Sequence, residues 1–252
     1  MVILVEGDIS RLIMGTECGG SYPTSGLVSN PVVGKCSDLI IKEGGTVILS
    51  ETPELIGAEQ ILASRCRNEE TAEKLLKTIK AFEEDFLRVG ENPRSGNPTP
   101  GNIAGGITTL EEKSLGCIHK AGSSIIQEVV EYGEPINENG LIVMDTPGQD
   151  VASIVGMAAA GAQMVVFTTG HGTPTGSGIV PVIKLTGNPE TAHLMKDNID
   201  FDCSSVLTEG KEIAQAGEEL LAMVRDTARM HKTKAEKLGF QDVSIARYCN
   251  FA

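Results

Sequence analysis

No apolar run in the sequence approaches the roughly 20 residues needed to cross a bilayer, and the stretch from Met1 is short, apolar and strand-like, without the basic flank of a signal peptide. Neither a membrane span nor a secretory leader is expected, and the protein is expected to be cytoplasmic. Basic residues are scarce. The 21 Lys and Arg stand against 34 Asp and Glu, and the resulting net charge of -13 is repelled by phosphate backbones and anionic membrane surfaces. Nucleic acid and membranes are therefore not expected partners. The six cysteines (Cys18, Cys36, Cys66, Cys117, Cys203 and Cys249) include no CxxC pair, so neither a zinc knuckle nor a thioredoxin-like redox site is indicated. Most are expected to be buried thiols. There is no HxxxH-like pairing, no internal repeat and no low-complexity tract.

Two further absences dispose of nucleotide chemistry. Leu141-Ile142-Val143-Met144-Asp145-Thr146-Pro147-Gly148 imitates the strand and metal-binding Asp of a GTPase, but no G-x-x-x-x-G-K-[ST] loop supplies the backbone amides that cradle phosphates. The nearest approach, Gly34-Lys35-Cys36, lacks the upstream glycine and the hydroxyl. The glycines of Gly170-His171-Gly172 through Gly178 have the wrong spacing for a dinucleotide fingerprint, and a strand follows them where a helix N-terminus is needed.

What is present points to a globular enzyme. With 252 residues, 40% of them hydrophobic, the chain buries a core without disulfides or metal, and residues 1–252 are expected to form one domain. Short β-branched runs at Leu12-Gly15, Thr46-Ser50, Leu141-Asp145, Met164-Thr168 and Val180-Leu185 alternate with amphipathic stretches. That alternation predicts an α/β fold with a predominantly parallel sheet and helices on both faces. Ala72, Leu75, Leu76, Ile79, Phe82 and Phe86 recur at helical spacing, as do Ile213, Ala216, Leu220, Val224 and Ala228 within a helical region at about 208–238. Residues 91–106 are dense in Pro, Gly and Asn, which oppose regular structure, so a long loop with a functional role is expected there.

Thr52-Pro53, Thr146-Pro147 and Asn188-Pro189 each place a capping side chain before a proline, and Thr109 to Glu112 fits a capping box. Such strand-to-helix junctions lie at the carboxyl ends of the strands, where open α/β sheets bind ligands. The polar residues there are Glu17, Cys18 and Ser21, then Ser50, Glu51 and Glu54, then Asp145, then Thr168, Thr169 and His171.

Several of these admit two explanations. Cys18 is either a transition-metal ligand or inert packing, and the amides of Gly19, Gly20 and Ser21 are suited to a substrate carboxylate. The loop around His171 is either a close-approach site for a small anion or a tight turn with a surface histidine. Lys113, if burial lowers its pKa, serves as a base; otherwise it is a solvated helical lysine. His193 and His231 read as structural or surface residues.

Five blocks in one order, ECGGSYPTSGLVSNPVVG (17–34), GGTVILSETPELIGAE (44–59), NPTPGNIAGGITTLEEKSLG (97–116), LIVMDTPGQDVASIVG (141–156) and FTTGHGTPTGSGIVPVIKLTGN (167–188), resemble the C-terminal domain of the altronate/galactarate dehydratase family, which includes sulfolactate sulfo-lyase large subunits. The resemblance covers roughly residues 11–240. It implies a Rossmann-like variant of the parallel-sheet fold and an iron-assisted β-elimination on a hydroxylated carboxylic or sugar acid. Three departures accompany it. Tyr22, followed by Pro23, stands after GGS where an aspartate is common; His171 stands where TTGRG carries arginine; and the tail VSIARYCNFA differs from the usual Pro-Trp-containing ending. The family's small N-terminal domain and its central domain are not represented.

The elimination so implied removes a weakly acidic proton beside a carboxylate and expels a poor leaving group, and a divalent metal serves both ends. Cys18, Glu17 and Glu51 are the expected metal ligands, a thiolate and carboxylate set that suits iron(II), with manganese as the substitute. Lys113, His171, Glu54 and Asp145 are the expected catalytic groups; Gly19, Gly20, Ser21, Ser25, Asn102, Thr108 and Thr169 are expected to hold the substrate. A small N-terminal-type subunit or domain and a homo-oligomer are the expected partners. Elimination of sulfite from a sulfonated hydroxy acid is the alternative activity, and a non-catalytic metabolite-binding subunit the alternative class.

Overall fold

The structure, a computed structural model, describes residues 8–244; the strand expected from Met1, Cys249 and most of the tail lie outside them. Strands β1 (Ile13–Gly19), β2 (Thr46–Leu49), β3 (Ile126–Val130), β4 (Leu141–Met144), β5 (Met164–Thr169), β6 (Val182–Thr186) and β7 (Phe201–Asp202) form one sheet. Their order is β3-β4-β2-β1-β5-β6-β7, and every neighbouring pair is parallel. The helices that follow the chain are α1 (Asn30–Lys42), α2 (Glu59–Ala63), α3 (Glu69–Arg88), α4 (Pro100–Ala104), α5 (Leu110–Cys117), α6 (Asp150–Ala159), α7 (Pro189–Leu194), α8 (Ser205–Thr208), α9 (Ile213–Ala228) and α10 (Lys234–Leu238). None among the described residues is long and apolar enough to cross a membrane.

The central strands are buried from end to end, as parallel strands covered on both faces must be. Alternate residues feed two cores. Met14, Val47, Leu49, Val143 and Val166 meet Val32 and Val33 of α1 and Leu220 and Val224 of α9. On the other face, Ile48, Ile142, Val165 and Phe167 meet Ile154 and Met157 of α6. Helix α1 can lie this close to the segment after α5 because position 34 is glycine; a Cβ there would sit 2.0 Å from the His119 carbonyl oxygen.

The sheet reverses its winding at β1, with β2 on one side and β5 on the other. This is the switch point where parallel sheets open a ligand crevice at their carboxyl edge. There, Cys18 is level with Thr168, and Gly19 with Thr169. The order differs from the 3-2-1-4-5-6 arrangement of dinucleotide-binding sheets, so the likeness to a Rossmann fold extends to the parallel sheet and the switch point.

Several expectations need correction. Glu51, not Thr52, precedes the short 3-10 turn Thr52–Leu55, and it does so with a left-handed backbone, φ 70° and ψ 70°. Helix α6 is capped by Gln149, whose side chain accepts from the Ala152 amide, three residues beyond Thr146. Thr109 does cap α5, but the Glu112 carboxylate turns back to Thr108 and leaves the box open. Residues 91–106 contain the turn Pro93–Ser95 and α4, the latter closed by a full Thr99/Asn102 capping box.

Candidate functional site

Successive residues of a strand point to opposite faces, and this divides Glu17 from Cys18. Glu17 faces α6, where one carboxylate oxygen accepts from Ser50 Oγ at 3.0 Å and Ser153 Oγ at 2.5 Å while Oε1 has no partner. Burial, reinforced by the charge of Glu51, pushes its carboxyl well above the ordinary range. Cys18 faces the other way. Its amide donates to Glu51 Oε2 at 2.9 Å, and its sulfur lies 3.4 Å from Glu51 Oε1 and 3.4 Å from Cys117 Sγ.

Glu51 is aimed at this spot by its left-handed backbone, whose amide is held by Thr146 Oγ1 at 2.7 Å. Strained backbone of this kind concentrates at functional sites. Its carboxylate forms a fully buried ion pair with Lys120 at 2.5 Å. Burial alone would lower the Lys120 ammonium, but the neighbouring Cys18 and Glu51 outweigh it and push that pKa well above its ordinary value.

One layer outward, Lys113 of α5 pairs with Glu54 at 2.8 Å and donates to Asn97 Oδ1 at 2.9 Å, while Asn97 Nδ2 donates to Glu54 at 3.1 Å. The segment 91–106 is thereby fastened to the strand edge. The lowered pKa that would make Lys113 a base is not found. Burial does oppose its charge, but Glu54 and the two sulfurs prevail and raise it, so Lys113 is a charged proton holder.

Asp150, in the first turn of α6, is the carboxylate that sequence inspection passed over. Burial first, then the charge of Glu51, push it up to about 6. Its Oδ2 lies against the β1 edge, where a Cβ at Gly19 would come within 2.7 Å of it. It lines a cavity of about 1010 Å³ together with Asn97, Pro53, Gly148, Gln149 and Thr175. A second cavity of about 330 Å³ is lined by Lys113, Cys117, Ser21, Ser25 and Tyr22.

The other expected residues divide. Ser21 and Ser25 are buried beside the smaller cavity, with Ser21 Oγ 4.0 Å from the Cys18 sulfur and Ser25 Oγ accepting from the Tyr22 amide. Asn102 donates to the Ser21 carbonyl at 2.8 Å, so its amide carries the loop and not a ligand. Thr169 Oγ1 accepts from the Gly172 amide at 2.9 Å and sits against Gly20, shaping the turn. Thr108 is exposed and bonded to Glu112. Asp145 is bonded to Thr52 Oγ1 and staples β4 to the turn after β2. His171 is exposed, with Nε2 3.1 Å from the Gly101 carbonyl oxygen and its ring against Tyr22. No polar contact among the described residues joins it to Cys18. His193 and His231 are exposed, as expected. Buried Lys184, lowered by desolvation, donates to the Thr175 carbonyl at 2.8 Å and anchors the loop that carries His171.

The expected metal ligands are not gathered around one point. Glu17 lies across the strand from Cys18, and Glu51 is engaged by Lys120 and the Cys18 amide. Among the described residues, no three Cys, His, Asp or Glu side chains are placed to hold an ion. The donors that do approach each other are Cys18 and Cys117, flanked by Glu51 and Glu54.

Comparison with known proteins gives a consistent picture. Residues 9–250 match the family described as D-galactarate/altronate dehydratase, C-terminal. Over 239 residues the chain is 44% identical to altronate dehydratase of Escherichia coli, covering 95% of this chain and 48% of that protein. Galactarate dehydratase (L-threo-forming) of the same organism is 38% identical over 92% of this chain and 45% of its own length. The (2R)-sulfolactate sulfo-lyase subunit beta of Chromohalobacter salexigens is 37% identical, over 95% and 62% respectively. The chain thus spans about half the length of the two dehydratases.

Proposed function

Because the chain belongs to the D-galactarate/altronate dehydratase family through its C-terminal domain, we propose that it is the catalytic domain of a hydro-lyase that removes water from a hydroxylated carboxylic or sugar acid by β-elimination. The observation that carries this is the placement of the Asp150 carboxylate, raised by burial to about 6, against the β1 edge and within electrostatic reach of the Lys113–Glu54 pair. A base works best when its pKa lies near the working pH. Asp150 is anionic at neutral pH and takes the proton beside the substrate carboxylate. Lys113 holds its proton for the departing hydroxyl, and its charge opposes the negative charge that builds as the C–H bond breaks. The C–O bond breaks, water leaves, and the enol relaxes to a 2-keto acid.

Cys18, Glu51, Glu54 and Lys120 position these groups, and the absence of a side chain at Gly19 lets the Asp150 carboxylate lie against the β1 edge. Iron(II) is the metal the resemblance implies. Among the described residues no three side chains are placed to hold it; Cys18 and Cys117 with Glu51 and Glu54 are the donors that would, completed by ligands from the portion of the relatives that the chain does not span. A partner subunit or domain of that kind also closes the crevice, and elimination is favoured in a dry, closed site.

Sulfite elimination is the second reading, supported by the match to a sulfo-lyase subunit. Anaerobic assay of sugar acids and sulfonated hydroxy acids, with ferrous iron and the partner portion supplied, separates the two: keto acid without sulfite supports dehydration. Sulfite release supports the sulfo-lyase, and binding without turnover of any substrate contradicts both.

A further inference from the structure

The sulfurs of Cys18 and Cys117 lie 3.4 Å apart inside the protein, although 99 residues separate them along the chain. Both thiols are free. Sulfurs in a disulfide are about 2.05 Å apart, so closing this pair requires an approach of roughly 1.4 Å. Cys18 stands near the carboxyl end of β1, and Cys117 is the last residue of α5, the helix that carries Lys113. Neither sulfur has a step in the elimination proposed above.

The two differ in access. Cys117 lines the cavity of about 330 Å³, whereas Cys18 is not among its lining residues. The bond to Cys117, then burial, push the Cys18 thiol well up. The ammonium groups of Lys113 and Lys120 act on both sulfurs. A sulfur that borders a cavity and lies 3.4 Å from a second, buried thiol is the arrangement of a peroxide-reactive cysteine with its resolving partner. Elsewhere in the described chain this combination is missing. Burial pushes the Cys36 and Cys203 thiols up to about 12, and half-buried Cys66 donates to the Leu62 carbonyl.

We propose that Cys18 and Cys117 form an oxidisable dithiol that hydrogen peroxide closes to a disulfide, tying the β1 edge to α5. The Cys117 sulfur attacks the peroxide O–O bond as its thiol proton passes to the departing hydroxide, giving a sulfenic acid and water. The Cys18 sulfur then attacks the sulfenic sulfur; the S–S bond forms, the Cys18 proton goes to the departing hydroxyl and a second water leaves. Two thiols and one peroxide give one disulfide and two waters, the sulfurs supplying both electrons. The inference stands independently of the substrate and reaction assigned above.

The test is made on the full chain, reduced and then exposed to graded hydrogen peroxide, quenched by alkylation and mapped as non-reduced peptides by mass spectrometry. The expected result is a Cys18–Cys117 linked peptide with the loss of those two free thiols, reversed by dithiothreitol. It should appear at peroxide doses that leave Cys66 alkylatable, and it should be absent from the Cys117→Ser variant. Because the decisive peptide is read in the unaltered chain, a variant that fails to fold does not obscure the result. The proposal is overturned if Cys66 oxidises first while both thiols stay free, if Cys117 proceeds to sulfinic acid without a link, or if Cys18 links to another cysteine.

Discussion

The rings of Tyr22 and His171 meet edge to face, with centroids 5.2 Å apart and planes at 83°. These are the two positions at which the site loops depart from the pattern the sequence otherwise resembles, and the fold puts them in contact. Gly170 makes room for the pair, since a Cβ there would come within 2.2 Å of Tyr22 Cβ. His171 also reaches Gly101, so the contact bridges the β5 loop to the segment 91–106. The two changes therefore act as one unit at the rim of the site.

If they act as a unit, Tyr22→Ala and His171→Ala should not be additive. A double-mutant cycle by urea unfolding is expected to give a coupling of about 0.5 kcal/mol, the low end for aromatic pairs because His171 is exposed. Additive effects would show that the contact carries no coupling.

The buried Lys120–Glu51 pair should be costly to break from one side. Lys120→Met leaves a carboxylate stranded in the interior and is expected to destabilise the fold by about 3–5 kcal/mol, whereas Lys120→Met with Glu51→Gln should recover part of that loss. Denaturant midpoints of the three proteins check this, and a double variant no better than the single would contradict it.

Asp150 should leave a signature in the pH dependence of stability. Its folded pKa of about 6 lies above the ordinary 3.8, so between those values the folded state binds more protons than the unfolded one. Stability therefore falls as pH rises through that window, and the penalty persists above it. Asp150→Asn removes the penalty. Relative to the parent, the variant should gain stability between about pH 4 and pH 7, read as a rising difference in urea midpoint whatever the constant offset; a difference independent of pH refutes the shift.

The fastening of residues 91–106 by Asn97 is open to proteolysis. Asn97→Ala removes both bonds to Lys113 and Glu54, so limited trypsin digestion, which can cut after Arg94, should cleave this segment faster than in the parent. Equal rates would mean that Asn97 does not hold it.

How much of this was legible in the sequence follows from which forces were local. Strands β2, β4 and β5 are nearly continuous apolar runs because both their faces are covered, and the run itself announces them, while β1 and β6 are announced by their remaining apolar residues despite buried Glu17 and Lys184. Strand β3 escapes notice because Gln127 and Glu128 interrupt it, and β7 because it is two residues long. Helix α1 was hidden by Pro31 and Gly34, which look like breakers; Pro31 instead occupies the first turn, and Gly34 serves a close contact.

In the site, Cys18, Glu51, Glu54 and Lys113 stand at junctions that local pattern identifies. Cys117 and Lys120 reach them only because α5 packs across the turn after β2, a pairing over 60 to 100 residues that no local pattern encodes. Asp150 was missed for a smaller reason. Thr146-Pro147 looks like the start of α6, which places Asp150 inside a helix, whereas Gln149 is the true cap and leaves Asp150 at the mouth of the crevice.

The central claim is that Asp150 is the base of an elimination performed at this edge. The most direct measurement is the initial rate of 2-keto acid formation from a sugar acid as a function of pH, for the parent and for Asp150→Asn, each supplied with the partner portion and ferrous iron. The account predicts an acid limb in kcat/KM near pH 6 for the parent and a loss of at least about 10²-fold in the variant, the usual scale for a positioned base. A variant that keeps its rate within a few-fold, with the acid limb in place, would contradict it.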